Sequence, residues 1–384
     1  DLPEHFGRAA HPPPTLTESS IEILAEINHA PRLPPDELQR IAADYRRSGA
    51  DVIDLGCIPG ECWTEIGAAV RSLIAGGFRV SVDSFDRREV TDAVENGAEL
   101  VLSVNQSNID WATDIPAEFV AIPDTPENID TLVATGVAMA ERGCAVRWDP
   151  ILEPIGFGFA TSLSRYFDVR RRFPDVPMMM GTGNVTELSE VDSSGVNFLL
   201  AAICEELRIG SILTTEVINW CRTSVREFDA ARKLVRYSLR ERRLPKHLDG
   251  RLLLLRDPKL HALGDDGLRQ LANRITDPNF RIFAERGEVH LLNRDGYWHG
   301  DDPYEVFDRM LASVGSLSSE HAFYLGMELM KARTALTLGK QYVQDEALRW
   351  GFLTVEETSA VERRKDHRQS RTGSAPSQSS GEET

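Results

Sequence analysis

Eight short apolar segments, each followed by a stretch with helical periodicity, are the feature of this sequence that most limits its fold. Short apolar runs bounded by turn residues are typical of buried strands, and their regular alternation with helices is typical of a parallel sheet. The eight predicted strands lie at 21–28, 51–56, 78–83, 100–105, 118–123, 144–149, 176–181 and 211–216.

The helical segments between these strands carry one apolar face each. In the first segment Leu38, Ala42 and Tyr45 recur at helical spacing, and Val225 and Phe228 do so in the last. Eight β/α units before residue 243 predict a (β/α)8 TIM barrel, a fold of ~250 residues. An open doubly wound sheet is the alternative, although it usually has fewer strands and a Gly-rich turn after the first one.

The pattern changes after the eighth unit. We expect a lead-in at 1–18, the barrel at 19–243, a small α+β domain at 250–361 and a disordered tail at 362–384. Within the second domain, the pattern predicts a strand at 251–255, a hairpin at 280–293 that turns at Arg286-Gly287, and a helix at 318–339. The segment 297–300, Tyr-Trp-His-Gly, is interpreted as a structural aromatic cluster.

Composition excludes several classes of function. Sixty acidic residues against 43 basic ones give a net charge of −17, which argues against nucleic acid or an anionic membrane as the main partner. No apolar run approaches the ~20 residues that span a bilayer, so we expect a cytoplasmic protein. The 5 cysteines do not form a disulfide or zinc pattern. A first residue of Asp1 instead of Met is expected of a fragment or a processed product.

Short polar residues end most of the predicted strands. In a barrel of this type functional side chains stand at the C-terminal ends of the strands, although Asp and Asn also cap helices and start turns. Together they offer the donors and acceptors that a flat aminopyrimidinone ring requires, and Asp149 is the best candidate to pair with its N–C–N edge. These strand-end residues are Asn28, Asp54, Asp83, Asn105, Asp149, Asn184 and Glu216.

Four motifs in this order resemble the pterin-binding family, which contains the dihydropteroate synthases and the corrinoid-linked methyltetrahydrofolate methyltransferases. The resemblance extends over residues 21 to about 240. The motifs are SVDSF at 81–85, LSVN at 102–105, DP with IGFG at 149–158, and MMGTGN at 179–184.

The resemblance implies a role for individual positions. Asp83, Asn105 and Asp149 correspond to side chains that hold the pterin ring. Asn28 resembles a residue near the metal and pyrophosphate of the synthases, which implies Mg²⁺ as a cofactor, and Asp54 resembles the second-strand Asp. The full implied set comprises the pterin-binding residues Asp83, Asn105, Asp149, Gly156, Gly158, Gly181 and Asn184, and the catalytic residues Asn28, Asp54 and Asn184.

The sequence departs from ordinary synthases where they place cations. Phe159 stands where they have Lys after IGFG, Thr182-Gly183-Asn184 replaces their Ser-Arg-Lys set, and the segment 214–216 replaces an Arg and a His. Arg32, Arg147 and Arg222 are the alternative sources of positive charge. An Asn at position 184 is closer to the methyltransferase branch.

As a whole, the chain resembles most closely the dihydropteroate synthase-like proteins associated with tetrahydromethanopterin biosynthesis in archaea and methylotrophic bacteria. DDPYEVF at 301–307 and the segment 321–345 resemble the region appended to those proteins.

Three functions follow as expectations. The first is a transferase that condenses a hydroxymethyl-dihydropterin diphosphate with an arylamine, such as a ribosyl-aminobenzene phosphate. The second is a methyl-tetrahydropterin:corrinoid methyltransferase, which would need a corrinoid protein as partner. The third is a non-catalytic pterin-binding or scaffold protein. The resemblance also implies a homodimer.

Overall fold

The computed structural model describes residues 16–255, 257 and 260–358. The predicted tail at 362–384 and all but the last residues of the predicted lead-in lie outside this described part. The chain divides into two compact units between Leu252 and Leu253, close to the predicted start of the second domain at residue 250.

The first unit is the predicted (β/α)8 barrel. Its strands are all parallel, in the order β6-β5-β4-β3-β2-β1-β8-β7. A single parallel β-bridge joins Trp148 of β6 to Met178, the residue before β7, and nearly closes the barrel. The strands are β1 (Glu22–Ile27), β2 (Val52–Gly56), β3 (Val80–Asp83), β4 (Leu100–Val104), β5 (Glu118–Ala121), β6 (Val146–Trp148), β7 (Met179–Gly181) and β8 (Ser211–Thr214).

Nine α-helices follow the strands in the described part of this unit. Leu38, Ala42 and Tyr45 are buried as their spacing predicts, and so are Val225 and Phe228. These helices are α1 (Pro35–Ser48), α2 (Ile66–Ala75), α3 (Arg87–Glu95), α4 (Ile109–Ala112), α5 (Ile129–Glu141), α6 (Phe159–Arg172), α7 (Gly183–Thr186), α8 (Ser193–Glu206) and α9 (Ser224–Arg240).

Two apolar layers hold the barrel together. The larger one lies between the strands and the outer helices, where apolar faces at helical spacing meet the sheet. The smaller one fills the barrel interior and is formed by Leu24, Val52, Leu100, Leu102, Val120 and Met179. Because the interior is packed, ligands have access only at the ends of the barrel.

The N-terminal end of the barrel is closed by ion pairs. Arg147 contacts Glu118 at 2.7 Å and Glu22 at 2.8 Å, and Glu22 also pairs with Arg79. Arg147 is only 14% exposed. The expectation that Arg147 supplies positive charge at the ligand end is therefore wrong: its side chain joins the beginnings of β1 and β5 at the opposite end.

The second unit is a three-stranded antiparallel sheet, in the order β11-β10-β9, with three α-helices among its described residues. Helices α11 and α12 cover one face of the sheet through a core that includes Leu291, Met310 and Leu329. The elements are α10 (Gly264–Ala272), β9 (Arg281–Glu285), β10 (Glu288–Asn293), β11 (Gly296–Gly300), α11 (Pro303–Val314) and α12 (Ser319–Leu338).

The sequence predicted this unit in part. The hairpin turns at Arg286-Gly287, where both residues have positive φ as a two-residue turn requires, and α12 runs from its Ser318 cap to Gly339. The strand predicted at 251–255 is wrong. Those residues form turns and irregular structure, since Arg251 bonds to its neighbour Asp249 and the leucine run has no sheet partner in the described chain.

The candidate ligand site at the barrel mouth

A cavity of about 370 Å³ opens at the C-terminal end of the barrel strands. Its floor is the barrel interior, where Leu102, Val120, Met179 and Leu213 face it. Its polar lining comes from strand ends and from the loops that follow them. The charged and amide side chains in this lining are Glu26, Asn28, Asp83, Asp149, Asn184 and Glu187.

Asp149 is held in one orientation by bonds to a single carboxylate oxygen. Tyr166, which is fully buried on α6, donates its hydroxyl hydrogen to Oδ1 at 2.5 Å, and the Ile151 backbone N–H donates to the same atom at 2.8 Å. Burial raises the pKa of Asp149 to about 6, and the hydrogen bonds of Tyr166, Ile151 and the Gly181 backbone, with the charge of Arg165, keep it from rising further.

The other oxygen of Asp149 faces a gap that Gly181 leaves open. A Cβ atom on Gly181 would lie 3.9 Å from Asp149 Oδ2 and 4.0 Å from Asn184 Nδ2. A flat group can therefore approach the carboxylate and the amide together at this point. Asn184 is itself anchored, because its Nδ2 donates to the Leu152 carbonyl at 2.8 Å.

Carboxylates dominate the rest of the lining, and we call Glu26, Asp83, Asp149 and Glu187 the acidic mouth. Burial, with the charges of Asp83 and Glu187, raises the pKa of Glu26 to about 7. Burial also raises the pKa of Asp83 to about 6 and that of Glu187 above its usual range. Among the described residues, no Lys, Arg or His lines this cavity.

Asp54 lies beneath the acidic mouth instead of in it. It is fully buried and accepts a hydrogen bond from Ser81 at 2.6 Å. Burial raises its pKa well above the usual range, and the charges of Asp83 and Glu26 raise it further. Asp54 is thus not among the residues that line the cavity, and its catalytic role stays a prediction.

Three further predicted ligand residues and one further strand-end residue lie outside the lining. Asn105 turns its side-chain oxygen to Ser107, accepting from that residue's backbone N–H at 2.9 Å and hydroxyl at 2.6 Å. Gly156 and Gly158 are exposed in the loop before α6 with φ of 93° and 109°, so their role there is to form the turn. Glu216, at the end of the eighth predicted strand, accepts a hydrogen bond from the Val225 backbone N–H at 3.0 Å.

Sequence reasoning missed two acidic side chains of the lining. Glu26 precedes Asn28 by two positions on the first predicted strand, so strand alternation places both on one side. Glu187 follows Asn184 by three positions, which is one helical turn. The sequence therefore carries a signal for both residues, although neither of them ends a predicted strand.

The fold and cavity define a (β/α)8-barrel protein with an acidic ligand site at the C-terminal mouth. The PterinBD-DUF4346 family matches residues 272–345. The uncharacterized protein MJ0107 of Methanocaldococcus jannaschii is 30% identical over 378 residues, which cover 85% of this chain and 69% of that protein. The chain therefore belongs to the same family as this archaeal relative, and the match to PterinBD-DUF4346 confirms the resemblance to pterin-binding proteins that the sequence predicts.

Solved dihydropteroate synthases are similar at lower identity. The Thermus thermophilus enzyme in complex with 6HMPPP is 20% identical with a TM-score of 0.44, covering 56% of this chain and 94% of that one. The Xanthomonas albilineans enzyme in complex with 7,8-dihydropteroate is 18% identical with a TM-score of 0.43, covering 59% and 94% respectively. In the described residues, no helix is both long and apolar enough to cross a membrane.

Proposed function

We propose that the barrel mouth binds the ring of a pterin, with Asp149 paired to its amino-pyrimidine edge. The observation that carries this proposal is the state of Asp149: Oδ1 is occupied by Tyr166 and Ile151, while Oδ2 faces the gap over Gly181. Oδ2 has two acceptor sites of its own, so it can accept hydrogen bonds from a ring N–H and from the adjacent amino group. The apolar floor would contact the face of the ring, as in most small-molecule sites.

The reaction that we propose is a transfer of the dihydropteroate synthase kind. The C–O bond between the exocyclic methylene of a hydroxymethyl-dihydropterin and its diphosphate breaks, and diphosphate leaves with the electron pair. An arylamine nitrogen forms the new bond to that carbon and then loses a proton. Carboxylates of the acidic mouth would offset positive charge that develops on the ring.

Glu26 is the proposed acceptor for the proton of the arylamine. Its pKa of about 7 is close to neutrality, where a general base combines availability with driving force. The acceptor substrate would be an aminobenzene derivative, and ribosyl-aminobenzene phosphate is the form used if the chain acts in tetrahydromethanopterin biosynthesis.

Mg²⁺ is compatible with this chemistry as a companion of the diphosphate. It is usually bound through one or two protein oxygens together with phosphates and water. Asn28 lines the cavity and offers one amide oxygen, so this residue would hold the ion. When bound, Mg²⁺ would neutralise the charge of the leaving diphosphate. In ordinary synthases, Lys and Arg side chains contribute to the same role.

A methyl-tetrahydropterin:corrinoid methyltransferase is the second candidate. Two observations favour it: Asn184 lies across Gly181 from Asp149, and the described lining contains no basic side chain for a diphosphate. In this reaction the methyl group would leave the N5 atom of the pterin for a corrinoid carried by another protein.

Two parallel assays distinguish these functions. In the first, the full chain receives a hydroxymethyl-dihydropterin diphosphate, Mg²⁺ and a series of arylamines, and diphosphate release is measured. In the second, it receives a methyl-tetrahydropterin and cob(I)alamin, and the absorption change of methylation is recorded. We expect release in the first assay and loss of that release in Asp149→Asn.

Each of the other assay results would point to a different function. Methylation without diphosphate release would support the methyltransferase and refute the synthase reaction. Tight pterin binding with neither activity would identify a non-catalytic pterin-binding protein. No pterin binding at all would refute the proposal as a whole.

A further inference from the structure

The second unit carries a cluster of metal-ligating side chains on the sheet face opposite α11 and α12. His290 on β10 is paired directly across the antiparallel ladder with His299 on β11, and Glu288 lies two positions before His290 on the same face. One ligand atom from each of these three residues lies within 4.8 Å of the other two. We propose that Glu288, His290 and His299 bind a divalent transition-metal ion such as Zn²⁺.

The ligand set determines the class of ion. Two imidazoles and one carboxylate suit Zn²⁺, Fe²⁺, Co²⁺ or Mn²⁺, whereas Mg²⁺ and Ca²⁺ prefer oxygen alone. Three protein ligands leave a fourth position for water or a small ligand, which is the pattern of reactive rather than closed structural sites.

The distances require small adjustments only. Zn–N bonds of ~2.0 Å place ligand atoms around one ion roughly 3.3 Å apart. In the structure, His299 Nδ1 and Glu288 Oε2 are 2.7 Å apart in a hydrogen bond, and the third ligand atom is less than 4.8 Å away. The side chains of His299 and Glu288 are 40% and 41% exposed, so they can rotate around an entering ion.

His290 is the fixed member of the cluster. It is 0% exposed, and its two ring nitrogens contact the Tyr297 hydroxyl at 3.0 Å and the Glu285 carbonyl at 3.4 Å. In the neutral tautomer of His290 that carries its proton on Nε2, that N–H points at the Glu285 carbonyl and the lone pair on Nδ1 can bind a metal ion. A ring nitrogen that donates to a backbone carbonyl is the usual support of a metal-binding histidine.

The other carboxylates near the cluster already have partners of their own. The Glu285 carboxylate accepts the backbone N–H groups of Leu263 and Gly264 at the beginning of α10, at 2.7 and 3.1 Å. Asp265 pairs with Arg286 at 2.8 Å. Glu288 is thus the carboxylate that faces the histidine pair, and the cluster lies inside the segment matched by the PterinBD-DUF4346 family.

The test is metal binding to the full chain after treatment with EDTA. Calorimetric titration should show one equivalent of Zn²⁺ bound at this site, and Co²⁺ should give a visible spectrum of nitrogen and oxygen ligation. His299→Gln and Glu288→Gln should each weaken Zn²⁺ binding by ~100-fold or more, since even residues that only support a ligand contribute ~10–100-fold. Tyr297→Phe should not weaken Zn²⁺ binding, because the Tyr297 hydroxyl contacts the Nδ1 atom of His290 that the ion would occupy.

His261→Gln is the matched control, because His261 is exposed in the same unit. It should bind Zn²⁺ as the parent does, and Zn²⁺ should raise the Tm of the parent and of this control but not of His299→Gln. Absence of saturable Zn²⁺ binding, or equal affinity in folded His299→Gln, would overturn the proposal. A thiolate-to-cobalt charge-transfer band that His299→Gln leaves unchanged would do so too, because it would place the ion at cysteines such as Cys57 and Cys62.

Discussion

The two ends of the barrel use acidic side chains in opposite ways, and strand β1 carries both uses. At its beginning, burial favours a raised pKa for Glu22, but the hydrogen bonds and charges of Arg147 and Arg79 outweigh burial and lower it. Four positions later, burial and the charges of Asp83 and Glu187 raise the pKa of Glu26 to about 7. At one end of the barrel the carboxylates are paired with arginines and stabilise the fold. At the other end they line the cavity in which we propose that a ligand binds.

The largest expected effect is on stability and concerns the ion pairs at the N-terminal end of the barrel. Arg147→Met should lower the free energy of unfolding by about 3 kcal/mol, because it leaves Glu22 and Glu118 partly buried without their shared cation. Urea unfolding would measure it. Pterin affinity should be unchanged, since Arg147 is not part of the cavity.

Arg171→Met is the control for that variant, because Arg171 forms an exposed pair with Asp168 on α6. It should change stability by less than about 0.5 kcal/mol. Equal losses from the two substitutions would show that the ion pairs at the barrel's N-terminal end have no special weight.

The next effect belongs to the acidic mouth. Asp149→Asn should weaken pterin binding ~100-fold, a difference of about 2.7 kcal/mol, because an amide donor replaces the oxygen that accepts from the ring. The Asn oxygen can still accept from Tyr166 and Ile151, so the fold should persist. Quenching of pterin fluorescence gives the affinity.

The pH dependence of the same titration sharpens this prediction. The parent should lose affinity as pH falls through about 6, where Asp149 takes up a proton. Asp149→Asn should lack that component, while the exposed Asp114→Asn should behave as the parent does. A parent whose affinity is constant from pH 8 to pH 5 would contradict the role of this carboxylate.

Glu26→Gln should stabilise the protein, and only at high pH. The folded-state pKa of about 7 exceeds the ordinary value of 4.5, so Glu26 favours folding below 4.5 and this advantage is lost as pH rises towards 7. The substitution removes the charge, and we expect a gain of about 2 kcal/mol at pH 8 and little at pH 5.

Chemical unfolding at the two pH values measures this difference. The exposed Glu65→Gln serves as the control and should show no difference between them. A Glu26→Gln variant that is less stable than the parent at pH 8 would mean that Glu26 has a structural partner at the mouth.

The smallest expected effect comes from filling the gap beside Asp149. A Cβ at position 181 meets only ordinary contacts of 3.9 and 4.0 Å, so Gly181→Ala should fold normally. It should still weaken pterin binding ~10-fold by occupying the space of the ring, or about 1.4 kcal/mol. Gly195→Ala on α8, where a Cβ would have open space, should leave binding intact.

Much of the barrel could be predicted because parallel strands and amphipathic helices leave a local pattern. The site was predictable where a strand end delivers a residue directly to the cavity, as with Asp83 and Asp149. It was not predictable where a side chain turns back to its own loop, as Asn105 does towards Ser107. One of the two partners of Arg147, Glu22, lies 125 residues away in the sequence, and no local pattern reveals such a pairing.

In the second unit, the predicted strand at 251–255 failed for a related reason. A run of leucines indicates a strand only if a neighbouring strand is available, and the sequence does not state which strands are neighbours. The hairpin at Arg286-Gly287 was predictable because its two strands and its turn are contiguous.

A crystal structure of the protein with 6-hydroxymethylpterin tests the central claim most directly. We predict that the amino-pyrimidine edge lies within hydrogen-bonding distance of Asp149 Oδ2, above Gly181, with the ring face against Met179 and Leu213. A ring bound instead in the neighbouring cavity lined by Cys57, Cys62 and Arg88, with Asp149 facing only solvent, would contradict it.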